Sequence, residues 1–217
     1  MSCNCCEITD NAFSEAEARS ELRNYRKRGP ANQTKLILEA IRSSGLKNAD
    51  LLDIGGGIGV IHHELLEDVA RAATHVDASS AYLKEAKEET ARRGHSERVN
   101  FIHADFTDVA SDLPKADIVT LDRVVCCYPD FRRLLKAAAE HSQRALALTY
   151  PRETWYLRFG LKVINFFQGL RKDPFRVFLH PVAEMDSLLK REGFERVSLR
   201  RLIVWEMALY QKSGGVA

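Results

Sequence analysis

With 217 residues, 45% of them hydrophobic and 29% charged, the chain is long enough to bury one α/β core and too apolar for wholesale disorder, so one domain with extensions is expected. The formal charge of +2 is nearly balanced, and no stretch interleaves clustered lysine and arginine with aromatics, which argues against nucleic acid as a partner. The opening residues lack the charged and apolar regions of a secretory signal, and no apolar run approaches the roughly 20 residues of a membrane span, so a cytoplasmic chain without an integral membrane segment is expected.

Five cysteines are an odd number for a reducing compartment and favour free, reactive or metal-bound thiols over a disulfide framework. Cys3, Cys5 and Cys6 stand in a leader. Ser14 to Tyr25 then reads as a polar helix: Ser14 can cap it, Glu15 and Glu17 fall in its first turn, and Arg23 and Arg26 lie near its end. Gly29-Pro30 breaks it. Asn32 is placed to cap a second helix whose apolar face is Leu36, Ile37, Leu38 and Ile41, and Gly45 stops that one. Short apolar runs follow at Leu51 to Ile54, Ala73 to Val76, Val99 to Ile102, Ile118 to Leu121 and Ala145 to Leu148. The segments between them are long enough for crossover helices, which is the pattern of a parallel sheet.

The first of these runs leads into Asp53-Ile54-Gly55-Gly56-Gly57-Ile58-Gly59 and then an amphipathic helix with Val60, Leu65 and Leu66. Glycines there let the backbone take positive φ and let a ligand approach the main chain, so Gly55, Gly56, Gly57 and Gly59 are candidate binding residues. The spacing is G-x-G-x-G, not the G-x-G-x-x-G of a dinucleotide fold, because the last position of that pattern is Val60. Asp53, two residues before the first glycine, offers an acceptor that suits a sulfonium with its ammonium group better than a pyrophosphate. The second run ends in Asp77-Ala78, where a carboxylate can accept both hydroxyls of a ribose; the third ends in Asp105-Phe106, where Asp105 can take an adenine amino group and Phe106 can stack on the ring.

Ligands of open α/β sheets gather beyond the carboxyl ends of the strands, so Asp122, Arg123, Cys126, Cys127 and Tyr128, which follow the fourth run, form the natural floor of an acceptor pocket. Cys126 reads equally well as a small buried hydrophobe. After the fifth run come Arg152 and an apolar helix from Glu153 to Leu170, with Trp155, Phe159 and Phe166 among its side chains. A helix apolar around so much of its circumference buries more than one stripe, either in the core or against an acceptor, a membrane surface or a second copy of the chain, giving a homodimer through 153–170. His180 follows, and then Phe194 to Arg200 and Ile203 to Tyr210, which are so close in sequence that they must pair as an antiparallel hairpin.

On Asp53-x-Gly55-x-Gly57-x-Gly59, Asp77 and Asp105 the chain resembles the class I S-adenosylmethionine-dependent methyltransferases over about residues 35 to 150. The resemblance implies a Rossmann-like, mostly parallel seven-stranded sheet ending in an antiparallel hairpin, with helices on both faces. It also implies S-adenosylmethionine as cofactor, bound by Asp53, the glycines, Asp77, Ala78, Asp105, Phe106 and Asp122. Residues 1–34 become a leader and helix covering the cofactor site, and 35–217 the catalytic domain with 152–180 as a helical cap. The second half, from Leu148 to His180 and through Gly193-Phe194, is similar to the magnesium-protoporphyrin O-methyltransferases, with Cys127-Tyr128-Pro129 where those enzymes keep His-Tyr-Pro. The expected reaction is methyl transfer to a carboxylate or hydroxyl of a small molecule. A carboxylate needs no base; a phenol or thiol does, and His180 and Tyr128 are the candidate catalytic groups, with Arg123 and Arg152 able to grip an acidic acceptor and Cys127 and Trp155 lining its pocket. Two other readings stand beside this one. Cys3, Cys5, Cys6, Cys126 and Cys127 can bind a soft metal or metalloid and make the acceptor a thiol or an arsenic-like species. Alternatively the chain is a non-catalytic S-adenosylmethionine-binding regulator or partner subunit.

Overall fold

The computed structural model describes residues 14–160, 163 and 176–214. Cys3, Cys5 and Cys6, and half of the apolar helix 153–170 through which a homodimer is expected, lie outside the described residues.

Helix α1 (Glu15–Arg28) starts with a full capping box, in which the Ser14 side chain accepts from Glu17 N and Glu17 reaches back to the Ser14 backbone. It runs one turn beyond the expected end, to Gly29 at φ 74°. In α2 (Asn32–Ser43) the cap position belongs to Ala31, so Asn32 is the first helical residue and makes no capping bond, a correction to the sequence reading. Pro30 fixes the chain just before it, which brings the helix start one residue forward.

The sheet has seven strands in the order β3-β2-β1-β4-β5-β7-β6. They are β1 (Ala49–Ile54), β2 (Ala70–Asp77), β3 (Val99–His103), β4 (Ala116–Leu121), β5 (Ser142–Pro151), β6 (Phe194–Arg201) and β7 (Trp205–Lys212). The first five pair in parallel, β7 pairs antiparallel with β5, and β6 pairs antiparallel with β7 as the far edge. The expected Ile203 start of the last strand is two residues early. Leu202 N bonds Trp205 O at 2.8 Å, so Leu202, Ile203 and Val204 make the reversal, with Ile203 pointing out to solvent.

Crossovers are made by α3 (Val60–Leu65), α4 (Ser80–Arg92), the short α5 (Phe106–Val109), α6 (Phe131–His141) and α7 (Val182–Arg191). Successive strand residues point to opposite faces, so Leu51 and Ile118 enter one core with Ile37, Ile41 and Leu65, while Leu52 and Val119 enter the other with Leu134, Leu135 and Leu189. The order reverses at β1, between β2 and β4, which opens a crevice at the carboxyl ends of these strands.

Candidate active site

Where β1 ends, Gly55 N bonds Val76 O at 2.7 Å and the chain folds back through Gly55, Gly57 and Gly59, all at positive φ. At Gly55 both reasons for glycine apply: φ is 60°, and a Cβ would lie 2.5 Å from Val124 Cγ2. Bare main chain therefore faces the crevice. Two cavities adjoin there, of about 440 and 470 Å³, within the range of ligand pockets.

The smaller cavity is walled by Gly55, Gly57, Asp77, Ala78, Asp105 and Phe106 on one side and by Cys127, Tyr128, Val177 and Trp205 on the other. Asp77 ends β2 with Oδ2 accepting from Gly57 N and Oδ1 from Ser79 N, each at 2.8 Å. Burial pushes its carboxyl up to about 6, and those two N–H donors oppose the rise. Asp105 caps α5, accepting from Thr107 N at 2.9 Å, and takes the Tyr128 hydroxyl at 3.1 Å on Oδ2. Phe106 lines the cavity and is otherwise buried, its ring T-shaped to His141 with centroids 5.7 Å apart.

The larger cavity lies toward α1 and α2, with Asn24, Tyr25, Thr34, Asp53 and Gly56 in its wall. Asp122 and Arg123 border both cavities. Asp122 accepts the hydroxyls of Thr34 and Thr149, and burial raises its carboxyl. Arg123 stands at φ 64°, its N–H donating to Thr149 Oγ1 at 2.8 Å, and its guanidinium reaches Glu21 of α1 at 2.7 Å. Glu21 also accepts from Tyr82 Oη at 2.9 Å. The Glu21 tie is absent from the sequence reading because nothing in the spacing shows that α1 crosses the crevice.

Several expected residues are placed otherwise. Asp53 borders the larger cavity but is fully buried: Oδ1 takes the Thr120 hydroxyl at 2.7 Å and Oδ2 faces His62 and His75 beneath the turn. Tyr128 is tied to Asp105 and Thr107, and burial pushes its phenol up to about 12, the wrong direction for a base near neutral pH. His180 packs between Phe131 and Phe178 with Nε2 3.0 Å from Tyr128 O and lines neither cavity; burial lowers its basicity. Arg152 turns away to Glu206, 3.7 Å, and Leu202 O, and Trp155 is 80% exposed, so neither reaches the cavities. The strand β5 carries the chain as far as Pro151 before it turns, which takes both past the crevice. Cys126 and Cys127 do meet, Sγ to Sγ 3.8 Å, on a 3-10 turn with both thiols near Arg123 O; the hydrogen bond from Cys126 lowers the Cys127 thiol and raises that of Cys126.

Residues 51–144 match the family model of a methyltransferase domain. No curated protein matches the chain in sequence. Among solved structures, magnesium protoporphyrin IX methyltransferase from Synechocystis PCC 6803 with bound SAH superposes with a TM-score of 0.73 at 18% identity, over 97% of this chain and 100% of that one. An O-methyltransferase family protein from Burkholderia thailandensis gives 0.73 at 14% identity, over 97% of this chain and 63% of the other. The N-methyltransferase NodS from Bradyrhizobium japonicum WM9, with S-adenosyl-l-homocysteine, gives 0.63 at 14% identity over 83% and 85%. The sheet order with its single reversed strand is that of the class I methyltransferase fold. No helix among the described residues is long and apolar enough to cross a membrane.

Proposed function

We infer that this S-adenosylmethionine-dependent methyltransferase esterifies a carboxylate on a small, largely apolar acceptor. The fit to the cofactor rests on two features: the turn at Gly55, where no Cβ can be accommodated, and the Asp77 carboxylate beside it. Asp77 would take the ribose hydroxyls, Asp105 the adenine amino group, and the main chain of Gly55 to Gly57 the body of the molecule. S-adenosylmethionine supplies an electrophilic methyl carbon on its sulfonium. The protein's part is to hold the attacking oxygen in line and at close approach, an effect worth up to about 7–11 kcal/mol. Of the proposed leader and helix 1–34, Glu21 of α1 borders the smaller cavity, and of the proposed cap 152–180 of the domain 35–217, Val177 does.

The observation that carries the choice of a carboxylate is the commitment of the acids and phenols around the smaller cavity, which donor and acceptor would share. Asp77 is held by two amides, Asp105 by Tyr128 and Thr107, Asp122 by two threonines, and Glu21 by Arg123 and Tyr82. An acceptor already carrying its negative charge needs none of them as a base. Arg123 is the one cationic side chain among the described residues of that cavity wall, and an acidic acceptor would share it with Glu21. The apolar part of the acceptor would lie on Val124, Val177 and Trp205. A second reading, transfer to a thiol or a trivalent metalloid, is favoured by the 3.8 Å Cys126–Cys127 pair on the same wall. The intact glycine turn speaks against a non-catalytic binder.

The test is transfer of labelled methyl groups to a panel of small carboxylic acids, magnesium protoporphyrin IX included, followed by mild alkali. Carboxyl esters release labelled methanol. A product stable to alkali, or transfer confined to dithiols and arsenite, overturns the carboxylate reading and leaves the methyl-transfer reading intact.

A further inference from the structure

Beneath the glycine turn lies a group of side chains that neither cofactor nor acceptor uses. The parallel register of β1 and β2 sets Asp53 beside His75, and the first turn of α3 brings His62 back under them. All three are fully buried. We propose that Asp53, His62 and His75 bind a divalent transition metal ion, zinc foremost, that pins β1, β2 and α3 together under Gly56.

Three atoms converge there. His62 Nδ1 is 3.1 Å from His75 Nδ1 and 3.7 Å from Asp53 Oδ2, and His75 Nδ1 is 4.0 Å from the same oxygen. A triangle with these sides has a circumscribed radius of about 2.1 Å, so one point lies at the Zn–N and Zn–O bond length from all three. Two imidazoles and a carboxylate are a donor set suited to zinc and its neighbours.

The outer bonds point the same way. Thr90 Oγ1 spends its hydrogen on Ala86 O at 2.8 Å, so it meets His62 Nε2, 3.3 Å away, as an acceptor. That fixes the proton on Nε2 and leaves the Nδ1 lone pair facing inward. Thr120 occupies Asp53 Oδ1, while Oδ2, aimed at the two histidines, has no hydrogen-bond partner despite complete burial. A single proton on His75 Nδ1 can serve His62 or Asp53 but not both. A divalent ion satisfies all three donors at once and offsets the buried carboxylate charge. Gly56 forms the lid: a Cβ there would sit 2.6 Å from Asp53 Oδ2 and His75 Nδ1, and the cavity beyond it, which Asp53 borders, is the way in.

The experiment uses tag-free full-length protein stripped by chelator and titrated with cobalt(II) as an optical probe and with zinc. One equivalent of cobalt should give visible bands without thiolate charge transfer. Zinc at a hundredfold excess over its Kd should raise the thermal midpoint by roughly 5–10 °C. Thr90→Val, which keeps shape and removes the outer acceptor, should weaken cobalt binding about 10–100-fold. His75→Cys should introduce thiolate bands that the parent protein lacks. No cobalt bands and no zinc-dependent shift in the parent overturn the proposal, as do thiolate bands in the parent, which would assign the ion to cysteines. Binding of S-adenosylhomocysteine by the same stripped protein is measured separately and does not depend on this outcome.

Discussion

Asp77→Asn preserves the size of the side chain at the end of β2 and removes its charge, and the structure fixes what that should do to binding and to stability separately. A ribose hydroxyl donating to a charged acceptor contributes about 1.5–3 kcal/mol, so S-adenosylhomocysteine should bind roughly 10–150-fold more weakly, read by calorimetry near pH 7.5. Folding should change little. The carboxyl is raised from 3.8 to about 6 by burial, so between those values the folded protein holds a proton that the unfolded chain has released. Stability therefore falls as pH rises through that window, and above it the buried charge costs about 3 kcal/mol, which the amide removes. Against this, the amide turns one N–H group toward Gly57 N or Ser79 N, at a loss of about 1–3 kcal/mol, and the two effects nearly cancel. The same linkage makes the parent's affinity drop by up to about tenfold from pH 7.5 to pH 5, as Asp77 takes up its proton, while the variant's stays level. An asparagine variant that binds within twofold of the parent, with the parent's pH dependence retained, would refute the assignment of Asp77 to the ribose.

Other outcomes follow from the same geometry. Gly55→Ala should lose ligand binding and about 2–4 kcal/mol of stability, since it combines a left-handed backbone with overlap on Val124, whereas Gly57→Ala, whose Cβ would meet Tyr82 at an ordinary 3.4 Å, should cost only about 1–2 kcal/mol by chemical denaturation. Tyr128→Phe breaks the bonds to Asp105 and Thr107 and should lower turnover less than about tenfold with an unchanged pH profile; loss of a limb that rises with pH would restore the tyrosine as a base. Iodoacetamide should modify Cys127 well before Cys126, which is buried and has the raised thiol, and S-adenosylhomocysteine should slow the reaction; peptide mapping reads both.

The strands and the glycine turn were legible because their signals are local: short continuous apolar runs, glycines where φ is positive, and two strands too close in sequence to be joined by a crossover. The hairpin at β6 and β7 follows from that last constraint alone. What distance in sequence hides was not legible. The metal-type cluster needs the register Asp53↔His75, which no spacing reveals. Glu21 enters the site only because α1 crosses the crevice, and Tyr25, a helix residue with no motif around it, comes with it. Arg152 and Trp155 stand outside both cavity walls for the converse reason: the length of β5 decides where the chain turns, and its apolar run ends before the strand does. His180 is conspicuous as an isolated histidine near a cavity, yet its ring is occupied by a backbone carbonyl and two phenyl groups.

The far edge of the sheet bears on how the protein behaves when crowded. β6 carries Glu195, Arg196, Arg200 and Arg201 outward, and the bulge between Arg196 and Ser198 interrupts its pairing. A second molecule approaching to extend the sheet would have to bring like charges together along a bent ribbon. That margin is thereby guarded against fibre-like stacking through β6.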